Sequence, residues 1–170
     1  MSLDICIEEQ PTRYALEIYR EAPMWKIPKV LEEDFPRLDR YASEKGGTRA
    51  GAPYVRYMDI DWPEMKNCGP LKMIWKMLTS KQPMRVGMSV ASPVEGDGDI
   101  EAVTHDAGPC VRTIHKGPYQ KVGKAYEDIV AWAEANNVEM ANFTMENYIN
   151  DPTVVAEEDI ETLILIPVVS

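Results

Sequence analysis

The chain has 170 residues, 45% of them hydrophobic and 27% charged, with a net charge of −10. That length suits one domain with a sizeable core, and the acidic balance argues against a surface built to neutralise nucleic-acid phosphates, so no direct DNA binding is expected. No apolar run reaches the length of a membrane span and no basic segment followed by an apolar stretch opens the chain, so neither a membrane partner nor a secretory leader is expected. Cys6, Cys68 and Cys110 are odd in number and far apart, which gives no disulfide framework and no zinc spacing; a reducing cytoplasm is the simplest setting. His105 and His115 stand alone, and no metal or other cofactor is expected.

In chain order, residues 5–19 are rich in β-branched and aromatic types and predict strands broken at Pro11-Thr12. Leu31, Phe35, Leu38 and Ala42 form an apolar helical stripe that Pro28 starts and Gly46-Gly47 stops. Pro36 inside it predicts a kink, or a break into two short helices near Asp34. Residues 54–60 and 85–90 predict strands. Between them Leu71, Ile74, Trp75 and Leu78 make a short stripe opened by Gly69-Pro70, with Lys72 and Lys76 on the other side. This helix is expected to pack on the domain, with a pocket lid or a membrane-contacting helix as the alternatives. Residues 100–114 again predict strands, broken at Gly108-Pro109. Val122, Tyr126, Ile129 and Ala133, with Trp132 beside them, predict a helix over about 120–136, and strands follow at 143–150 and 162–169.

One constant offset relates the two halves. Leu31, Phe35, Leu38, Tyr41 and Ala42 fall on Val122, Tyr126, Ile129, Trp132 and Ala133, each 91 residues on, and the same shift carries Tyr57 onto Tyr148. The closing strands match at the shorter offset of 77, so the first half holds an insertion of about 14 residues within 62–83. The expected architecture is α+β: two pseudo-symmetric βαββ modules, about 3–92 and 98–170 of a single domain, whose antiparallel sheets enclose a central cleft.

The strand at 143–149 carries the chemistry. Side chains alternate between faces, so Phe143, Met145 and Ile149 form an apolar face expected to pack on the helices. Thr144, Glu146 and Tyr148 point the other way, as do Val55, Tyr57 and Asp59 in the first half. With the two sheets face to face, Tyr57 and Tyr148 are expected on opposite sides of the cleft. Val55 stands where the second half has Glu146, so the repeat is broken at the charged position. A carboxylate among aromatic rings suits a lipophilic cation, because ring faces attract positive charge and a desolvated acid neutralises it. Ten methionines suit an adaptable apolar wall. An exposed sheet face with a solvated Glu146 and ordinary amphipathic tyrosines fits the same pattern.

The order His115-Lys-Gly117-Pro-Tyr119, Tyr126 to Trp132, Glu146-Asn-Tyr148-Ile-Asn-Asp-Pro152 and Glu161-Thr162 to Val168 resembles the second half of the GyrI-like small-molecule-binding domains, the effector-binding domains of bacterial transcription activators. Pro53-Tyr54-Val-Arg-Tyr57 matches the first half more weakly. The resemblance implies paired βαββ modules around a cleft in which the acid of an E-x-Y motif meets a ligand's positive charge, a role that falls on Glu146 with Tyr148 beside it. The strand parity of the first half places Tyr57 and Val55 in the same cleft, and Trp25 joins them by position as a wall residue. No helix-turn-helix segment precedes the first strand, which fits a stand-alone binder or a subunit working with a partner regulator. The expected function is sensing or sequestering hydrophobic, often cationic compounds. One alternative is a hydrolase that opens strained cyclopropane rings of genotoxic natural products, with Glu146 as acid or base and Tyr57 or Tyr148 steadying the developing oxyanion. The other is modulation of DNA gyrase by protein contact.

Overall fold

The computed structural model describes residues 4–169, the Met77 side chain excepted, and the expected module ends at 3 and 170 lie outside that range. Its strands are β1 (Cys6–Gln10), β2 (Arg13–Pro23), β3 (Arg49–Tyr57), β4 (Lys81–Val90), β5 (Ile100–His105), β6 (Gly108–Lys116), β7 (Thr144–Tyr148) and β8 (Glu161–Pro167). The helices are α1 (Ile27–Glu44), α2 (Trp62–Asn67), α3 (Pro70–Thr79) and α4 (Val122–Ala135). All eight strands join one curled antiparallel sheet in the order β1-β6-β8-β7-β3-β4-β2-β5. Each half is therefore a βαββ unit preceded by one extra strand, as the repeat predicts. The two module sheets do not face each other; they meet edge to edge where β3 pairs with β7. Each extra strand crosses to the other half's side of the sheet: β1 pairs with β6, and β5 pairs with β2.

In the β3–β7 ladder Val55 lies directly opposite Glu146. These two residues are also each other's equivalents in the repeat, so the pseudo-twofold axis passes between them. Both long helices lie on one side of the sheet. Under α1, Leu38 and Ala42 pack on Leu16, Ile18, Val86 and Met88; under α4, Ala125 and Ile129 pack on Val111, Ile164 and Ile166.

The helix α1 runs through Pro36 without the break that its sequence predicts. Its buried face spans Ile27 to Ala42, and Arg20 grips Asp34 through two hydrogen bonds of 2.9 Å just ahead of the proline. Packing and this part-buried ion pair hold the helix across the missing donor. The insertion departs from expectation too. Leu71, Ile74, Trp75 and Leu78 on α3 are all exposed, so its apolar stripe faces outward. No helix among the described residues is long and apolar enough to cross a membrane.

The helix-free face has its own core of Ala15, Tyr54, Met145 and Leu165, with Phe143 packed against it. Beside it sits fully buried Glu17, which accepts hydrogen bonds from Arg56 at 2.6 and 3.2 Å and from the Tyr54 hydroxyl at 2.8 Å, and contacts His105 Nε2 at 3.0 Å. A Cβ at Gly87 would overlap the Tyr54 ring, so glycine there lets the phenol reach Glu17. Burial alone would raise the Glu17 pKa, but His105, Arg56 and Tyr54 outweigh it and hold the carboxyl at about 2. A folded pKa below the unfolded one stabilises above the ordinary value of 4.5, and that stabilisation is lost as pH falls towards about 2. Replacing Glu17 with Gln should cost about 3 kcal/mol at pH 7, because Arg56 loses its buried counter-charge. Chemical denaturation from pH 7 to pH 2 checks this; the gap between variant and wild type should shrink across the acid range.

Candidate functional site

The site is built where α1, α4 and the sheet seam converge. The parity read from the sequence holds along β7, with Thr144, Glu146 and Tyr148 on one face and Met145 on the other. The face assignment is reversed. Glu146 looks toward the helices, as its bond to Tyr126 on α4 shows, while Met145 and Phe143 pack on the helix-free side. The apolar residues misled because this curled sheet buries both faces, so hydrophobicity alone does not say which one the helices cover.

Glu146 is 7% exposed. Its Oε1 accepts a 2.7 Å bond from the Tyr126 hydroxyl, which also lies 3.2 Å from Thr144 Oγ1. Its Oε2 accepts a longer bond of 3.4 Å from Tyr148. No basic side chain pairs with it among the described residues. Burial pushes its pKa up, against the downward pull of the Tyr126 and Tyr148 hydroxyls. Burial likewise lifts the phenols of Tyr57, Tyr126 and Tyr148, and the nearby Glu146 charge adds to it.

Aromatic rings enclose this carboxylate. Tyr148 meets Phe35 of α1 edge-on at 6.1 Å and Tyr119 at 5.4 Å, centroid to centroid. Tyr119 lies in the short 3₁₀ turn before α4, where Gly117 takes a φ of 119° and His115 Nε2 contacts Pro118 O at 3.1 Å. Trp62 of α2 lies over Tyr126 at 6.2 Å and donates from Nε1 to Ala141 O at 2.8 Å. The insertion therefore roofs the site with α2. Tyr57 and Val55 join the cluster of Ala22, Ile27 and Met84, with Tyr148 packed against it. Tyr57 interacts with the Tyr148 hydroxyl from the neighbouring strand, so the two tyrosines stand side by side.

The floor is polar. Thr162 lies directly across from both Tyr148 and His115, and Thr113 across from Ile164, which itself faces Glu146. Directly opposed residues share a face, so both threonines lie on the Glu146 side. Their hydroxyls are fully buried and have no hydrogen-bond partner among the described residues.

Of the sequence-predicted residues, Glu146, Tyr148, Tyr57 and Val55 come together. Trp25 does not: it is 62% exposed on the 3₁₀ turn before α1, its ring covered by Lys26 Nζ at 4.9 Å. Sequence reasoning took Tyr126 and Phe35 only as stripe residues and did not assign Trp62, Tyr119 or the two threonines to the site. The repeat contained one usable signal: Phe35 and Tyr126 are equivalents that differ by a single hydroxyl.

A family profile described as the GyrI-like small molecule binding domain matches residues 76–169. No curated protein matches the chain. Among solved structures, the EcmrR C-terminal domain is 20% identical, covers 99% of this chain and 98% of its own, and superposes with a TM-score of 0.79. The EcmrR chain in a DNA complex is 19% identical with a TM-score of 0.78; the match covers 98% of this chain and 57% of that one. A protein named SAV2435, solved bound to tetraphenylphosphonium, is 11% identical over 97% of this chain and 93% of its own, with a TM-score of 0.56. A hydrolase encoded by lin2189 from Listeria innocua is 13% identical over 98% and 92%, with a TM-score of 0.59. At these identities the likeness is one of fold.

A raised folded-state pKa means that ionising Glu146 works against folding, with the penalty growing as pH rises from the unfolded value through the folded one. Glu146→Gln should therefore raise the thermal midpoint of the ligand-free protein at pH 8, and the gain should vanish below about pH 4, where the unfolded carboxyl is itself protonated. Calorimetric scans at both pH values measure it.

Proposed function

This chain belongs to the GyrI-like small-molecule-binding domain family, and from that premise we propose that its ligand is a hydrophobic, cationic molecule seated against Glu146. One contrast supports the reading above all others. Among the described residues two glutamates are buried, and they are treated differently. Glu17 is matched by Arg56 and His105. Glu146 has only neutral hydroxyls. An ionised buried carboxylate without a counter-charge is costly, so the site is completed by a cation from outside. Ring faces of Tyr148, Tyr119, Tyr57 and Phe35 supply apolar area and a negative quadrupole to the same ligand. The orphan hydroxyls of Thr113 and Thr162 offer it hydrogen bonds. The fold relative solved with tetraphenylphosphonium fits this chemistry, and three free cysteines fit a reducing, cytoplasmic setting.

Titration calorimetry with tetraphenylphosphonium and with neutral triphenylphosphine oxide tests the proposal. The cation should bind the more tightly, Glu146→Gln should weaken it by tenfold or more while leaving the neutral compound unchanged, and cation affinity should fall as pH drops through the Glu146 pKa. Equal affinity of the variant and the wild type for the cation would sink the reading.

A second reading has one specific observation behind it: Glu146, with its pKa pushed up by burial, stands beside the Tyr148 and Tyr57 hydroxyls. In that role Glu146 takes a proton from water while the water oxygen bonds to a ring carbon of a strained cyclopropane. The ring C–C bond breaks, and its electron pair moves to a conjugated oxygen hydrogen-bonded by a tyrosine. Chromatography of a cyclopropane-bearing alkylator incubated with the protein should show a hydrated product that is lost in Glu146→Gln. Turnover equal to buffer removes this reading and leaves the binder intact.

A further inference from the structure

The face of the sheet away from the helices holds a separate cavity. It measures about 400 Å³ and is lined in part by Thr12, Arg13, Gly51, Ser89 and Asn147. None of the residues lining it is acidic, although the chain has 28 carboxylate residues and a net charge of −10.

Three features make this a built site. The first is Arg13. It is half-buried and has no carboxylate partner among the described residues; its Nη1 donates instead to Asn147 Oδ1 at 3.1 Å. Asn147 is 4% exposed and is itself fixed by a bond from Nδ2 to Leu163 O at 3.2 Å. A buried amide with both ends engaged thus aims one edge of the guanidinium and leaves the remaining N–H donors free. The second is Ser89, which lies opposite Ala15 on the same face as Arg13. It is 3% exposed and lines the cavity. The third is a register shift in the β3–β4 ladder between Arg49 and Pro53, which lifts residues 50–52 out of the pairing to form a wall. Bulges of this kind often adjoin binding sites. The Nε of Arg49 donates to the carbonyl of lining residue Gly51 at 2.9 Å, which holds beside the cavity a second guanidinium that has no acid partner among the described residues.

We infer that this cavity is a second binding site, for a small organic anion bearing a carboxylate or a phosphate monoester, held by Arg13 and Ser89 with Arg49 at the entrance. Planar guanidinium forks suit both groups, and the surrounding negative charge makes a site free of carboxylates the place where an anion is least repelled. Glu146 and Asn147 are successive residues of β7 and point to opposite faces, so the anion site is separated from the cation site by the thickness of the sheet.

Phenyl phosphate, benzoate and neutral benzyl alcohol share a ring and differ in charge. Titrated into the isotope-labelled protein, the two anions should saturably shift the backbone amides of Thr12, Gly51 and Ser89, and the alcohol should not. The tighter anion identifies the headgroup. Arg13→Gln should weaken binding by about tenfold or more. Arg49→Gln, at an exposed position that the core does not depend on, should weaken it less, and Glu146→Gln should leave it unchanged. Added salt should lower the affinity. Shifts of the same size with benzyl alcohol, or wild-type affinity in both arginine variants, would overturn the inference without touching the Glu146 proposal.

Discussion

The antiparallel pairing of β3 with β7 is the contact on which the molecule turns. It joins two half-sheets into one, and its register puts Val55 across from Glu146 on the pseudo-twofold axis. Residues directly opposite on antiparallel strands sit about 5 Å apart, and like charges there repel. A symmetric pair of glutamates at the axis would therefore oppose the pairing that builds the sheet. One carboxylate and one aliphatic residue resolve this. The axis thus ends with a single carboxyl group on the helix-covered face, bonded to Tyr126 of α4.

That charge differs in kind from the protein's other buried glutamate. Glu17 belongs to a closed network in which an arginine, a histidine and a phenol satisfy it, so it serves the fold and gains nothing from a further partner. Glu146 lies under rings and is steadied by hydroxyls that cannot cancel its charge. Among the described residues two threonine hydroxyls on the same face remain unpaired, in a core where fully buried side-chain polar atoms are otherwise bonded. Such deficits cost stability, and a cation seated as proposed would remove them.

Much of this was legible in the sequence because two periodicities survive in it. The 3.6-residue stripes located α1 and α4, and the alternation through Thr144, Glu146 and Tyr148 set those three residues on one face. The offset of 91 residues paired Val55 with Glu146 before any register was known. What alternation cannot give is which face the helices cover, since Met145 and Glu146 are both buried, one by Tyr54 and Leu165, the other by Tyr126. The exposed stripe of α3 illustrates a related limit. Spacing specifies an amphipathic helix, but what covers its apolar side is a tertiary matter. Trp62, which roofs the site, sits in a six-residue helix too short for periodicity to register. The anion cavity depends on a bulge and on long-range contacts from Arg13 to Asn147, neither of which leaves a local mark.

The comparison of the halves carries the argument one step further. Features common to both include the helix stripe, the strand order, and the equivalent Tyr57 and Tyr148. The differences gather around one atom group. Where the second half has Glu146 the first has Val55. Where the second has Tyr126, donating to that carboxylate at 2.7 Å, the first has Phe35, which instead lays its ring against Tyr148. The insertion found only in the first half crosses over to set Trp62 on Tyr126. A hydroxyl is present in the half that has an acid to receive it and absent in the half that does not. Packing alone would accept Phe at both helix positions, because the rings occupy similar volumes. The pairing of the extra oxygen with the extra charge therefore marks an electrostatic specialisation of one half, made on a scaffold whose symmetry supplies the frame but not the chemistry.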